Sequence, residues 1–234
     1  MTISSKLISA MGGERGAVAA DRLCRACVEY LTVDAAALSL ILDGTTNGTL
    51  GSSGTDARYY DELQSTLGEG PCLDTVARRA PVLVHDLADP QESRWPTYRA
   101  AMLEHRVRAV YAMPVVVGGQ YAGALGLFRS RPGALTEDTL AGAYVAADLA
   151  ELPVLDLIGD FLQEPVPDPV DDVWGEMATL GRTEVSQATG MLIAQLNVDA
   201  TVALVRLRAH AHATGQTASK VARDILDRRL RLDP

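Results

Sequence analysis

The chain is poor in the residues that would build a cross-linked or aromatic-rich protein. Three cysteines among 234 residues, an odd number, leave no disulfide framework. No apolar leader stands at the N-terminus, so a reducing, cytoplasmic setting is expected. Aromatics make up only 5% of the chain, and a core must be filled instead by the alanine, valine and leucine behind its 47% hydrophobic share. Two lysines stand against nineteen arginines, a bias attributed to genome base composition and carrying no functional reading. There is one long uncharged run, Ala109–Phe128, twenty residues between Arg108 and Arg129 and about the length that crosses a bilayer. Pro114 and the turn residues Gly118-Gly119-Gln120 interrupt it, which predicts two buried strands, Val110–Val117 and Tyr121–Arg129, in a hairpin and excludes a membrane partner.

The net charge of -9 argues against a polyanion, yet it is unevenly spread. Residues 1–172 carry -11 and residues 173–234 carry +2, so only the tail tolerates a nucleic acid. Between them lies Gln163–Asp172, QEPVPDPVDD, whose three prolines and four acids cannot continue a helix or a strand. The division that follows is a first domain over 10–155, a Pro/Asp-rich linker over 156–172 and a second unit over 173–234.

In the first domain a helical stripe over Glu14–Leu31 precedes a strand at Ala35–Leu42, a turn at Gly44–Gly48 and a partner strand at Thr49–Ser53. Helices are predicted over Asp56–Leu67, from Pro71 and over Thr97–Arg106, with a strand at Pro81–Val84. A long helix begins near Thr136, its N-cap, with Glu137-Asp138 at the positive end of its dipole. The class is α+β, an antiparallel sheet with helices packed on it.

Several residues invite chemistry. Cys24 and Cys27 form a CxxC, but both fall on an apolar helix stripe with no further ligand pair in view, so core packing is expected and no metal. Gly12–Gly16 lacks the strand and GK[ST] ending of a phosphate loop and reads as a flexible lead-in. LGEGPCLD over 67–74 makes a tight turn into a helix and sets Cys72 in the first turn. There a thiolate would be stabilised, leaving a ligand-sensing or redox thiol open beside a simple buried turn. His85-Asp86 and His105 are tied to no nucleophile by a local motif, which favours structural roles. Arg94-Trp95-Pro96 either lines a pocket mouth or merely crosses the surface.

GEGPC, a strand ending in HDL, a DP…RWP loop and VRAVYAMPVVVGGQYAGALGLF together resemble the GAF sensor domain of bacterial signalling proteins, over about residues 10–155. The resemblance implies a regulatory pocket near Glu69, Pro71, Cys72, Arg94 and Trp95, holding a small molecule whose identity it does not supply.

The tail predicts three helices: about Val173–Leu196, Ala200–Ala213 capped by Asp199, and one from Thr217 or Ser219 to Leu230. The second puts Ala200, Leu204, Leu207 and Ala211 on one stripe, with Arg206/His210 and Arg208/His212 on its flanks. Lys220 and Arg223 add charge on the third helix, where Asp224–Arg228 and Asp227–Arg231 have the spacing of surface ion pairs. Gly190 inside a helix serves either close helix packing or approach of a phosphate backbone.

Val185-Ser186-Gln187-Ala188-Thr189-Gly190-Met191-Leu192, with Leu196, Ala203, Leu207, Arg208, Ala211, Val221-Ala222 and Ile225, resembles the ANTAR module, a three-helix RNA-binding domain of transcription antiterminators. Where many members carry lysine this chain has Thr189, which removes one potential phosphate contact. The resemblance implies a homodimeric regulator that binds paired stem-loops in a nascent leader RNA under control of the sensor. RNA contacts would come from Gln187, Thr189, Gly190, Arg206, Arg208, His210, His212, Lys220 and Arg223, and binding would be salt-sensitive. No catalytic residue is expected. The competing readings are a thiol-dependent reductase using Cys72, with a resolving cysteine close by, and a protein-interaction module whose tail only dimerises.

Overall fold

The structure is a computed structural model that describes residues 2–42, 45–163 and 183–232. β1 (Ala35–Leu42) is apolar at every position but Ser39, the pattern of a strand covered on both faces. Ala36, Leu38 and Leu40 face one helical layer, and Ala35, Ala37 and Ile41 face the other. Around it lie β2 (Thr45–Ser52), β3 (Val82–Val84), β4 (Ala109–Val117) and β5 (Gln120–Arg129), in the order β2-β1-β5-β4-β3, all antiparallel. The uncharged run is therefore the β4–β5 hairpin, turning at Gly118-Gly119 with Met113 opposite Leu125. Among the described residues no single helix is long and apolar enough to cross a membrane.

One face of the sheet is covered by α1 (Ile3–Met11), α2 (Gly16–Tyr30), α6 (Glu137–Leu149) and α7 (Glu151–Gln163). Cys24 and Cys27 sit fully buried in this layer as free thiols. The opposite face carries α3 (Thr55–Leu67), α4 (Pro71–Arg78) and α5 (Pro96–Glu104). Pro71 and Pro96 each occupy a first helical position, where a missing N–H goes unnoticed. Thr136 caps α6, its hydroxyl accepting from the Thr139 N–H.

Three local expectations change. The glycines at 12 and 13 are not a loose lead-in: Gly12, at φ +62, ends α1, which docks through Leu7 and Met11. The turn expected at 44–48 gives way to strand from Thr45, where two register shifts in β1–β2 absorb the extra residues. The segment 156–172, read as linker, opens inside α7, which runs to Gln163; residues 164–182 lie outside the described residues.

The C-terminal unit contains α8 (Thr183–Leu196), α9 (Ala200–Ala213) and α10 (Ala218–Leu226) around its own apolar cluster. The part of the first helix expected over 173–182 lies outside the described residues. Asp199 and Thr217 cap α9 and α10 by accepting from the N–H groups of Val202 and Lys220. Of the predicted stripe of α9, Leu207 and Ala211 are buried, Leu204 is half-buried and Ala200 is exposed, and Ala203 joins the buried side.

Candidate sensor pocket and nucleic-acid interface

The helical layer of α3, α4 and α5 holds a buried polar nest. Asp61 and Gln64, three residues apart on α3, turn inward and are each 1% exposed. Asp61 accepts from the hydroxyls of Ser39 on β1 and Thr49 on β2, the latter at 2.6 Å. Burial nevertheless dominates and pushes its carboxyl up to about 6. Gln64 lies against Gly70, where a Cβ would occupy the space of the glutamine side chain, and its Oε1 accepts from the Cys72 N–H at 2.8 Å. That bond satisfies one of the orphan donors at the start of α4. Two buried polar atoms have no partner among the described residues: Gln64 Nε2 and Tyr98 Oη on α5. Each is a donor able to meet an acceptor on a small molecule.

Of the predicted pocket residues, Pro71 and Cys72 open α4 beside this nest. The Cys72 Sγ lies against Gly126 of β5, 3.1 Å from where a Cβ would stand. The expected thiolate stabilisation is overturned: Gln64 takes the Cys72 N–H, and burial pushes the thiol far above its ordinary range. The carboxylate of Glu69 accepts from the N–H groups of Thr97 and Tyr98 at 2.7 and 2.9 Å, which ties the GEGPC turn to the RWP loop and caps α5. Trp95 is buried at φ +51, and the Arg94 guanidinium lies 4.4 Å from the centre of its ring while pairing with Glu92. The two loops therefore meet, through Glu69 and backbone rather than through charged side chains lining a mouth.

Asp61, Gln64 and Tyr98 were not singled out from the sequence. The available signal was two polar residues on the inward stripe of an otherwise amphipathic helix. His85 and His105 do not form a dyad. Asp86 is held below the usual carboxylate range by Arg108, which donates to it at 2.9 and 2.8 Å, and His105 tilts against Tyr59 with ring centres 4.9 Å apart.

In the helical unit, Gln187 and Gly190 are exposed on α8, and a Cβ at Gly190 would meet nothing within 4 Å. Close helix packing is thus removed as its explanation among the described residues. The Thr189 hydroxyl donates back to the Val185 carbonyl at 2.7 Å. Arg206 and His212 are exposed and His210 is half-buried. Arg208 is different: it packs at Gly68 of the sensor, and loss of solvent lowers its guanidinium from the ordinary arginine value. The two flanks of α9 are therefore not equivalent.

Lys220 pairs with Asp224, and Arg223 reaches Glu184 at 3.4 Å. The predicted Asp224–Arg228 and Asp227–Arg231 pairs do not form. Arg228 adopts φ +58 and ends the helical register, so both aspartates pair with Arg229 instead. Arg228 and Arg231 line an open hollow of about 630 Å³ with Met191, Gln195 and Leu230. Among the described residues no group of three metal-ligating side chains exists.

The sequence profile of the GAF domain matches residues 17–151, and that of the ANTAR domain matches 176–226. The fold is similar to the GAF domain of a phosphoenolpyruvate-protein phosphotransferase (ptsP) from Coxiella burnetii, at 17% identity and TM-score 0.51, covering 69% of this chain and 94% of that one. It is also similar to the GAF domain of the Acinetobacter phosphoenolpyruvate-protein phosphotransferase, at 12% identity and TM-score 0.50, covering 64% and 88%. A type II free methionine-R-sulfoxide reductase from Thermoplasma acidophilum matches at 18% identity and TM-score 0.42, covering 64% and 93%. No curated protein matches the chain.

Proposed function

The chain belongs to the GAF domain family and carries an ANTAR domain behind it, and on that premise we propose a signal-responsive RNA-binding regulator of transcription antitermination. The observation that carries the proposal is the conjunction of the two families in one chain, sensor first and RNA-binding module second. Its RNA would be stem-loops of a leader transcript, read by exposed Gln187 and Gly190 on α8 and by the cationic flanks of α9. Unpaired bases in loops offer edges that a helix pair can reach, while arginines hold phosphates. The sensor's effector is a small molecule with an acceptor for Gln64 Nε2 and Tyr98 Oη, both buried and unpartnered among the described residues. A homodimer is supported by exposed Val18, Tyr144, Leu152 and Leu155, apolar residues on the mutually packed helices α2, α6 and α7.

The thiol-reductase reading loses its support at Cys72. That thiol is buried, and Cys24 and Cys27, the only other cysteines, lie in the helical layer on the opposite face of the sheet. The test is titration of the purified full chain against a labelled RNA of two tandem hairpins at low salt. Binding is expected to weaken steeply as salt rises. No shift in any condition, with or without small molecules recovered from the purified protein, would overturn the proposal. A purely dimerising tail predicts that Arg206→Ala with Arg208→Ala leaves all properties intact; loss of RNA binding with dimerisation retained separates the two.

A further inference from the structure

Helix α3 has two working sides. Its inward side carries Asp61 and Gln64 in the buried nest, and its C-terminal end touches α9 and α10 of the helical unit. At that end the Thr66 hydroxyl donates to the Glu62 carbonyl at 2.8 Å, which orients its free lone pair outward. It there accepts the backbone N–H of Ala218 at 2.9 Å, a first-turn donor of α10 with no intrahelical partner. Thr66 is 2% exposed, Ala218 3% and Thr217 8%, so water is excluded from this contact. Beside it Gly68, at φ +72, brings backbone against the guanidinium of the half-buried Arg208, which has lost part of its solvent and pairs with no carboxylate among the described residues. An arginine that has lost part of its solvent without gaining an anion gains by moving to a phosphate.

We propose that the end of α3, from Thr66 to Gly68, is an intramolecular mask over the RNA-binding face, holding Arg208 and the start of α10 away from the phosphate backbone until the sensor lets go. The proposal rests on the RNA-binding reading above and adds its regulation. The same helix that makes the mask presents Gln64 to the buried nest, and Gly68 and Gly70, both at positive φ, flank the turn from α3 into α4. A molecule that engages Gln64 therefore acts on the helix that carries the mask.

The experiment uses the full chain and a fluorescein-labelled RNA of two tandem hairpins. Thr66→Tyr puts a bulky group into the contact and removes its geometry. The apparent Kd is the intrinsic one divided by the open fraction, so the variant is expected to bind about tenfold more tightly or better. Hydrogen exchange at the Ala218 amide should be slow in the unaltered protein and fast in the variant. As a reversible counterpart, Thr66→Cys with Ala218→Cys puts thiols at two positions whose hydroxyl and backbone amide lie 2.9 Å apart. The native cysteines are buried and take no part. Oxidised, this protein should lose RNA binding, and reduction should restore it.

Equal affinity for the unaltered protein and Thr66→Tyr, or for the oxidised and reduced pair, would overturn the mask while leaving RNA binding in place. Absence of RNA binding in both Thr66→Tyr and the reduced pair would discard the RNA-binding reading, and the mask with it.

Discussion

Replacing Asp61 by asparagine should make the protein's stability less dependent on pH, and the size of the change follows from where the residue sits. The carboxyl is fully buried between α3 and the sheet, accepts from Ser39 and Thr49, and titrates at about 6 rather than 3.8. Its folded-state value is raised, so the native state holds the proton more tightly than the unfolded chain does. The stability this contributes is complete below about pH 4 and is lost as pH rises through about 6. A shift of about two units corresponds to about 3 kcal/mol. Asparagine keeps an acceptor for one hydroxyl and offers a donor to the other, and it never ionises. The stability difference between Asp61→Asn and the unaltered protein should thus grow in favour of the variant by about 2 kcal/mol from pH 4.5 to pH 8, the first third of the effect falling below pH 4.5. The Cys72 and Tyr98 side chains face the same region, but burial holds both well above their ordinary values, so neither ionises in this range. Urea unfolding followed by far-ultraviolet circular dichroism at pH 4.5, 6 and 8 reads the effect. With a slope of about 2 kcal/mol per molar urea, the midpoints should separate by about 1 M. A difference that stays flat across that range would refute the buried, proton-holding carboxyl.

Tyr98→Phe removes a buried hydroxyl that has no partner among the described residues, and should leave stability unchanged or raise it by about 1 kcal/mol in thermal unfolding; a loss of more than about 2 kcal/mol would show a bonded hydroxyl. Gly190→Ala should stabilise α8 by about 1 kcal/mol, because the added methyl meets open space and the helix interior gains a better former; destabilisation in chemical unfolding would reveal an element packed there. Cys72 should resist iodoacetamide at pH 7.5 until the sensor unfolds, and rapid labelling, located by peptide mass spectrometry, would contradict its burial.

Much of the architecture follows from local patterning. The run AAALSLIL, apolar at every position but Ser39, already marks a strand covered on both sides, and Pro114 with Gly118-Gly119 turns a span-length segment into a hairpin. Pro71, Thr136, Asp199 and Thr217 begin their helices because capping and proline preferences act over three or four residues. Patterns of that reach fail where the chain leaves its register. Arg228 in the left-handed region breaks the i,i+4 logic that paired it with Asp224, and β1–β2 bulges turned an expected turn into strand. The first-turn position of Cys72 likewise argued for a thiolate, but a distant glutamine and full burial decide its chemistry.

The two families, their order, the α+β sensor with its hairpin, and the stretch Gln187–Gly190 on a helix ahead of a helix edged by arginines and histidines are all legible in the residue pattern. That those edges differ comes from packing between the two units. Arg206 is exposed, while Arg208 lies against Gly68 and Ala218 is bonded to Thr66, a partner 152 residues away along the chain. Periodicity reports which face of a helix is apolar. Which polar residues lose their water depends on what packs over them, and that is set by the approach of two separate cores rather than by any local pattern.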